Sequence, residues 1–191
     1  MKIVEPIRDI EKINDIKKYF SAKENYRDLL LFVLWINSAL RISDLLNLKV
    51  KDFLENWKIK KYTTIKEIKT GKTRKVFINE NITLIFKKFI FKYPKIVMNN
   101  ENYLFFVKNW QNHYTSRWAS KILKKVAKQV WIEENIASHS LRKTWGYQAR
   151  KKWINISIIQ HNLNHSSLRE TFLYLWITSD EIQNACEIIN L

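Results

Sequence analysis

The stretch from His139 to Trp176 sets a His and an Arg three residues apart (His139 and Arg142 in "HSLR"), a second His in a polar break (His165 in "LNHSS") and a tyrosine nine residues later (Tyr174 in "LYLW"). Far upstream stand Arg41, in "SALRISDLL", and Lys69, which opens "KTGK". One chemistry uses all of these residue types together. Displacement at a phosphodiester builds negative charge on the non-bridging oxygens, and planar guanidinium forks match that geometry best. Arg41 and Arg142 are the candidate forks. The reaction also needs a nucleophile for phosphorus and a proton donor for the departing sugar oxygen, because an alkoxide leaves poorly. Tyr174 and Lys69 suit those roles. A phenolic nucleophile conserves the bond energy as a phosphotyrosine ester, which a freed sugar hydroxyl can attack in reverse, so strand exchange would need no ATP. His139 and His165 titrate nearest neutrality and are candidates to handle protons or to donate hydrogen bonds to phosphate.

Charge points to the same class of partner. The chain has 191 residues, 46% of them hydrophobic, enough for one domain with its own core. Lys and Arg number 34 against 18 acids, a net charge of +16, and the pI is near 9.8. On a compact body that balance favours polyanions, with nucleic acid the leading partner and a membrane surface the competitor, and the phosphodiester chemistry above makes double-stranded DNA the expected one. No apolar run approaches the roughly 18 residues of a spanning helix, and no signal peptide opens the chain, so a cytoplasmic protein is expected. Cys186 is the single cysteine, which excludes an internal disulfide. His161 and His165 are four apart, but one cysteine and scattered carboxylates do not complete a zinc set, and no metal site is expected. Candidate DNA contacts are Lys72, Arg74 and Lys75 beside the hairpin tip, Arg117, Lys121 and Lys124 on a basic helix, and Lys143 next to Arg142.

These residues need a scaffold that brings distant segments together. Residues 10–20 predict a short amphipathic helix, and "SAKE" (21–24) reads as a capping box opening a long buried helix through "RDLLLFVLWI". A second short helix follows in "RISDLLNL". "KIKKYTT", "TIKEIK" and "RKVFIN" are β-prone, with "KTGK" (69–72) a hairpin tip. Helices are expected at 81–92, 115–130, 139–152, 155–163, 167–176 and 178–189, with "YLFFV" as a further strand. In the basic helix Trp118, Ile122, Val126 and Val130 share one face, while Lys121, Lys124, Lys125 and Lys128 lie largely elsewhere, as a solvated face or a phosphate-contacting one. The expected class is α+β, mainly helical, with a small antiparallel sheet on one edge. Residues 1–20 read as an N-terminal extension and 21–191 as the catalytic domain.

Singly, each candidate has an ordinary structural reading. Tyr174 suits an interface aromatic, Lys69 a solvated charge, and Arg41 a partner for Asp44. Their joint order carries the weight. Arg41, Lys69, His139 to Arg142, His165 and Tyr174 together resemble the tyrosine recombinase, or phage-type integrase, family over about residues 22 to 190. The resemblance implies a 3′-phosphotyrosyl intermediate, a Holliday-junction pathway, a homotetramer on paired DNA sites, and no metal or nucleotide cofactor. It also implies DNA integration, excision or inversion in a phage or mobile element, and a lysine at a β-hairpin tip, which favours Lys69 over Lys72. Most similar proteins carry a separate amino-terminal core-binding domain that closes around DNA, whereas about twenty residues precede the first core helix here. In that respect the chain either resembles short members such as fimbrial phase-variation invertases or is a fragment. The last segment, "TSDEIQNACEII" (178–189), is amphipathic, and in the family the corresponding helix docks on a neighbouring protomer. A type IB topoisomerase and a non-catalytic DNA-binding protein are the alternatives.

A second pattern concerns glycine. There are 2 in 191 residues, where a usage of about 7% predicts roughly thirteen, while Trp reaches 8. Several tryptophans stand where glycine is favoured. Asn56-Trp57 and Asn109-Trp110 occupy turns that prefer Asn-Gly, and Trp131 and Trp153 each follow a predicted helix. Trp35 and Trp176 align with glycines of similar recombinases. These six are expected to be glycines encoded by UGA in a reassigned code, whereas Trp145 reads as a true aromatic.

Overall fold

The computed structural model of the chain describes residues 4–108, 110–175 and 179–189. At its centre is α2 (Tyr26–Ser38), whose buried residues include the unbroken run Leu29 to Trp35. A helix apolar on every side can only be stable when surrounded. It is wrapped by α1 (Ile10–Ala22), α5 (Glu80–Lys92) and α7 (Ser138–Lys151). The "SAKE" expectation fails here. Ser21 and Ala22 complete α1, Glu24 turns left-handed (φ 49°), and the side chain of Asn25 caps α2 by accepting from the Asp28 amide. The capping-box spacing was met by residues that the preceding helix had already claimed.

Residues 4–20 belong to the same core. Ile7, Ile13, Ile16 and Phe20 are buried in it, the Ile7 amide donates to the Thr144 hydroxyl (2.8 Å), and Lys143 donates to the Val4 carbonyl (2.8 Å). The short α3 (Ile42–Leu46) and α4 (Val50–Phe53) lead into a hairpin of β1 (Leu54–Glu55) and β2 (Lys58–Ile59), then one of β3 (Tyr62–Lys66) and β4 (Thr73–Phe77). The larger hairpin pairs Tyr62 with Phe77 and Lys66 with Thr73, leaving residues 67–72 as its tip. "YLFFV" forms no named strand and contributes isolated bridges at Tyr103 and Phe106.

After α6 (Ser116–Gln129) come α7, α8 (Ile156–Leu163), α9 (Leu168–Leu175) and α10 (Ser179–Ile189). The inward face of α6 is Ala119, Leu123, Val126 and Ala127, rotated from the expected stripe, and Trp118 is exposed. Lys121, Lys124, Lys125 and Lys128 are exposed, as expected. A second small apolar cluster of Ala39, Ala149, Ile159, Leu163 and Leu175 joins α7, α8 and α9 beneath the site residues.

The six tryptophans divide. Trp57, Trp131 and Trp153 have φ of 62°, 56° and 59°, in the left-handed region, and are exposed by 75%, 83% and 94%. Trp35 instead lies within α2 at 1% exposure with its indole N–H unpartnered, and Trp110 is partly buried against the main core. Trp176 lies outside the described residues.

Candidate active site

All six sequence candidates come from element ends or turns facing one region. Arg41 is the N-cap of α3, held extended (φ −68°, ψ 146°) by the left-handed Ala39 (φ 54°) that ends α2. Lys69 is exposed at the β3–β4 tip. His139 and Arg142 lie in the first turns of α7, on one face by their spacing of three. His165 follows Asn164, whose left-handed backbone (φ 53°) stops α8, and Tyr174 lies near the end of α9.

The phenol is engaged. The Tyr174 hydroxyl stands 3.5 Å from His139 Nδ1, and its ring centroid is 4.7 Å from that of His165. The Arg142 guanidinium lies 5.8 Å from the same ring. Gly146, one turn along α7 from Arg142, sits against this residue: a Cβ there would be 3.1 Å from the Tyr174 carbonyl oxygen. The close crossing of α7 and α9 therefore depends on a missing side chain.

Both histidines are neutral at pH 7. Burial pushes His139 below its ordinary value, reinforced by the charges of Arg142, Lys143, Lys69 and Arg41. Burial, with the charge of Arg142, pushes His165 down to about 4. The Thr171 hydroxyl donates to the Ser167 carbonyl (3.3 Å), so its oxygen accepts from His165 Nδ1 (3.2 Å), the tautomer that leaves Nε2 as an acceptor. His139 can likewise take a proton from the phenol.

Arg142 is only 2% exposed, more enclosed than a simple phosphate fork. Nη1 donates to the Ala39 carbonyl (2.6 Å) and Nη2 to the Leu163 carbonyl, clamping the ends of α2 and α8 together. Burial, then the Arg41 charge, lowers its pKa to about 10, and it remains a cation at neutral pH. Arg41 does not pair with Asp44. Its Nη1 donates to Glu67 Oε2 (2.5 Å), and Asp44 instead accepts the Ile68 amide (2.9 Å) at the base of the hairpin tip.

The expected DNA contacts are a mixed set. Lys72, Lys75, Arg117, Lys121 and Lys124 are exposed. Arg74 departs from the expectation: its side chain is 8% exposed, turned inward to the Ser38 carbonyl (2.8 Å) and Asn162 (3.1 Å). Lys143 is partly buried against Val4. Glu67, Asn164, Thr171 and Gly146 support the site and had no local signal, since each acts on a residue outside its own motif or through packing.

The sequence matches the phage integrase family over residues 7–180. The chain belongs to that family. This phage integrase family member is 40% identical to the probable integrase/recombinase YoeC of Bacillus subtilis over 188 residues, 98% of each chain. It is 31% identical to the tyrosine recombinase XerA of Pyrococcus horikoshii, covering 91% of this chain and 59% of that one. Among solved structures, the XerA recombinase superposes with a TM-score of 0.76 at 18% identity, over 100% of this chain and 67% of that one. XerH bound to its palindromic difH substrate after cleavage superposes at 0.78 with 20% identity, over 100% and 55%. The fold is that of tyrosine recombinase catalytic domains, and the chain is a tyrosine-type site-specific recombinase.

Proposed function

We propose that this recombinase binds double-stranded DNA and that Tyr174 is its nucleophile. The Tyr174 oxygen bonds to phosphorus, the bond from phosphorus to the 5′ oxygen breaks, and a 3′-phosphotyrosyl ester results. His139 receives the phenolic proton, Lys69 protonates the departing 5′ oxygen, and Arg41 and Arg142 neutralise the charge that builds on the phosphate. His165 completes the site. Attack by a 5′ hydroxyl from another duplex runs the same step backward and joins new partners. The observation that carries this reading is the Tyr174 hydroxyl 3.5 Å from His139 Nδ1, with its ring packed on His165. The catalytic unit takes in the segment before residue 21, because Ile7 and Ile13 are part of its core. Exchange between two sites requires four cleaving subunits, so the working assembly is a homotetramer on paired DNA sites in the cytoplasm. Among the described residues no helix is long and apolar enough to cross a membrane.

A pool of nicked duplexes with randomised sequence provides the test. The nick releases a short fragment after attack and traps the covalent adduct, whose DNA is then sequenced. The parent protein is expected to form adducts on a recurrent sequence and Tyr174→Phe none. No adduct from the parent, or an undiminished one from the variant, overturns the assignment.

A further inference from the structure

The catalytic groups come from separate parts of the chain, and one buried acid touches the carriers of three. Glu67 is 1% exposed. Its Oε2 accepts from Arg41 Nη1 (2.5 Å), from the Thr70 hydroxyl (2.7 Å) and from the Asn164 amide (2.6 Å), while Oε1 faces Arg74 Nη1 at 3.7 Å. Thr70 adjoins Lys69, and Asn164 adjoins His165. The backbone of Glu67 also closes the hairpin tip, donating to the Lys72 carbonyl (2.9 Å) and accepting from Gly71 (2.8 Å). Burial pushes its carboxyl up, but the hydrogen bonds from Thr70 and Asn164 and the Arg41 charge outweigh that and hold it below the usual range. It is therefore ionised at neutral pH. An enclosed carboxylate is costly unless paired, and no packing need of the apolar core calls for an acid here.

We propose that Glu67 is a positioning residue for strand cleavage. It holds one edge of the Arg41 guanidinium so that the other edge meets the phosphate, and it ties the segments carrying Lys69 and His165 to that same point. The proposal rests on the transesterification reading above. It is tested on the duplex recovered from the adduct pool, made either as the phosphodiester or with a methyl group replacing one non-bridging oxygen. The methyl form removes the charge that Arg41 neutralises. Glu67→Gln should slow adduct formation about tenfold or more on the phosphodiester, because a misaimed charge-assisted donor forfeits its transition-state role. On the methylphosphonate the loss should stay within about threefold, since the step that needs Arg41 has been removed. Should the Gln variant fold poorly by circular dichroism, Glu67→Asp, which keeps the charge one methylene short, is put through the same comparison. Equal losses on both substrates would indicate a purely structural acid and overturn the proposal, as would parental rates. A parent that forms no adduct at all fails the underlying reading instead.

A separate observation carries a second inference. Asn56 and Trp57 are both left-handed (φ 49° and 62°) between the paired residues Glu55 and Lys58, the two-residue type I′ turn that favours Asn-Gly. After α6 the Ile132 amide donates to the Ala127 carbonyl (3.0 Å), and after α7 the Ile154 amide donates to the Ala149 carbonyl (3.1 Å). Both are six-to-one helix-ending bonds with a left-handed tryptophan between, the position at which glycine is favoured. Three exposed indoles in such backbone sites gain nothing from burial. We infer that residues 57, 131 and 153 are glycines in the natural protein, encoded by UGA and read as tryptophan only under another genetic code. The gene should carry UGA at these three codons and UGG at Trp145. Each of Trp57→Gly, Trp131→Gly and Trp153→Gly should raise Tm, by about 2–4 °C if relief of the left-handed strain is near 1 kcal/mol. UGG at the three codons overturns the inference, and so does a lowered Tm in the three variants.

Discussion

Arg41 and Arg142 look alike in the sequence and are not alike in the molecule. Arg41 keeps part of its side chain open (17% exposed) and has one carboxylate partner, whereas Arg142 is enclosed and holds two main-chain carbonyls. Arg41→Ala should therefore abolish adduct formation with little loss of DNA binding. Arg142→Ala should abolish it and also destabilise the fold by about 3 kcal/mol, since two buried carbonyls lose their donor. Thermal unfolding alongside adduct trapping separates the two. The histidines add a pH dependence. His165 falls from an ordinary value near 6.5 to about 4 on folding, so between these values the unfolded chain binds more protons. Its contribution is complete above pH 6.5 or so and is lost as pH falls toward 4, and His139 shifts in the same direction. Tm measured across that interval should drop on acidification, and His165→Gln should flatten the drop.

At the scale of elements, the site exists because helices stop and cross at particular places. Asn164 ends α8 in a left-handed turn that places His165, and Ala39 does the same for Arg41. Tyr174 reaches His139 only because α9 crosses α7 at Gly146, where a Cβ would meet the Tyr174 carbonyl at 3.1 Å. Gly146→Ala tests the crossing. Alanine is the better helix former by roughly 1 kcal/mol, so stability should change little. Displacing α9 by a few tenths of an ångström should nonetheless slow adduct formation by about tenfold, because misplacement of a reacting group is amplified in the rate. Unchanged kinetics would show that α9 gives way without moving the phenol.

For the whole molecule, +16 on 191 residues dominates association with DNA. If six or more phosphates are neutralised, binding should weaken about 10³-fold or more between 50 and 200 mM salt through counterion release. Titrations of the recovered duplex at several salt concentrations give the slope. Reversing the exposed Lys121 and Lys124 to Glu should lower both affinity and slope if α6 faces the backbone. Unchanged values would leave these lysines as a solvated surface.

Residue order and local pattern were enough to read the candidate chemistry and most of the helices. The order of Arg41, Lys69, His139, Arg142, His165 and Tyr174 carried the resemblance from which the chemistry was read, and apolar periodicity marks helices from local information alone. Excess tryptophan at turn positions was also legible, because a left-handed backbone selects against a side chain locally. Helix boundaries that depend on competition were not. Both α1 and the expected capping box wanted Ser21, and packing of Ile16 and Phe20 decided for α1. Which charge meets which could be read only from the folded chain. Glu67 lies 26 residues from Arg41 and 97 from Asn164, so no spacing rule relates them. Their meeting follows from the hairpin folding over the ends of α2 and α8, and burial there turns an ordinary acid in a lysine-rich strand into the anchor of the site.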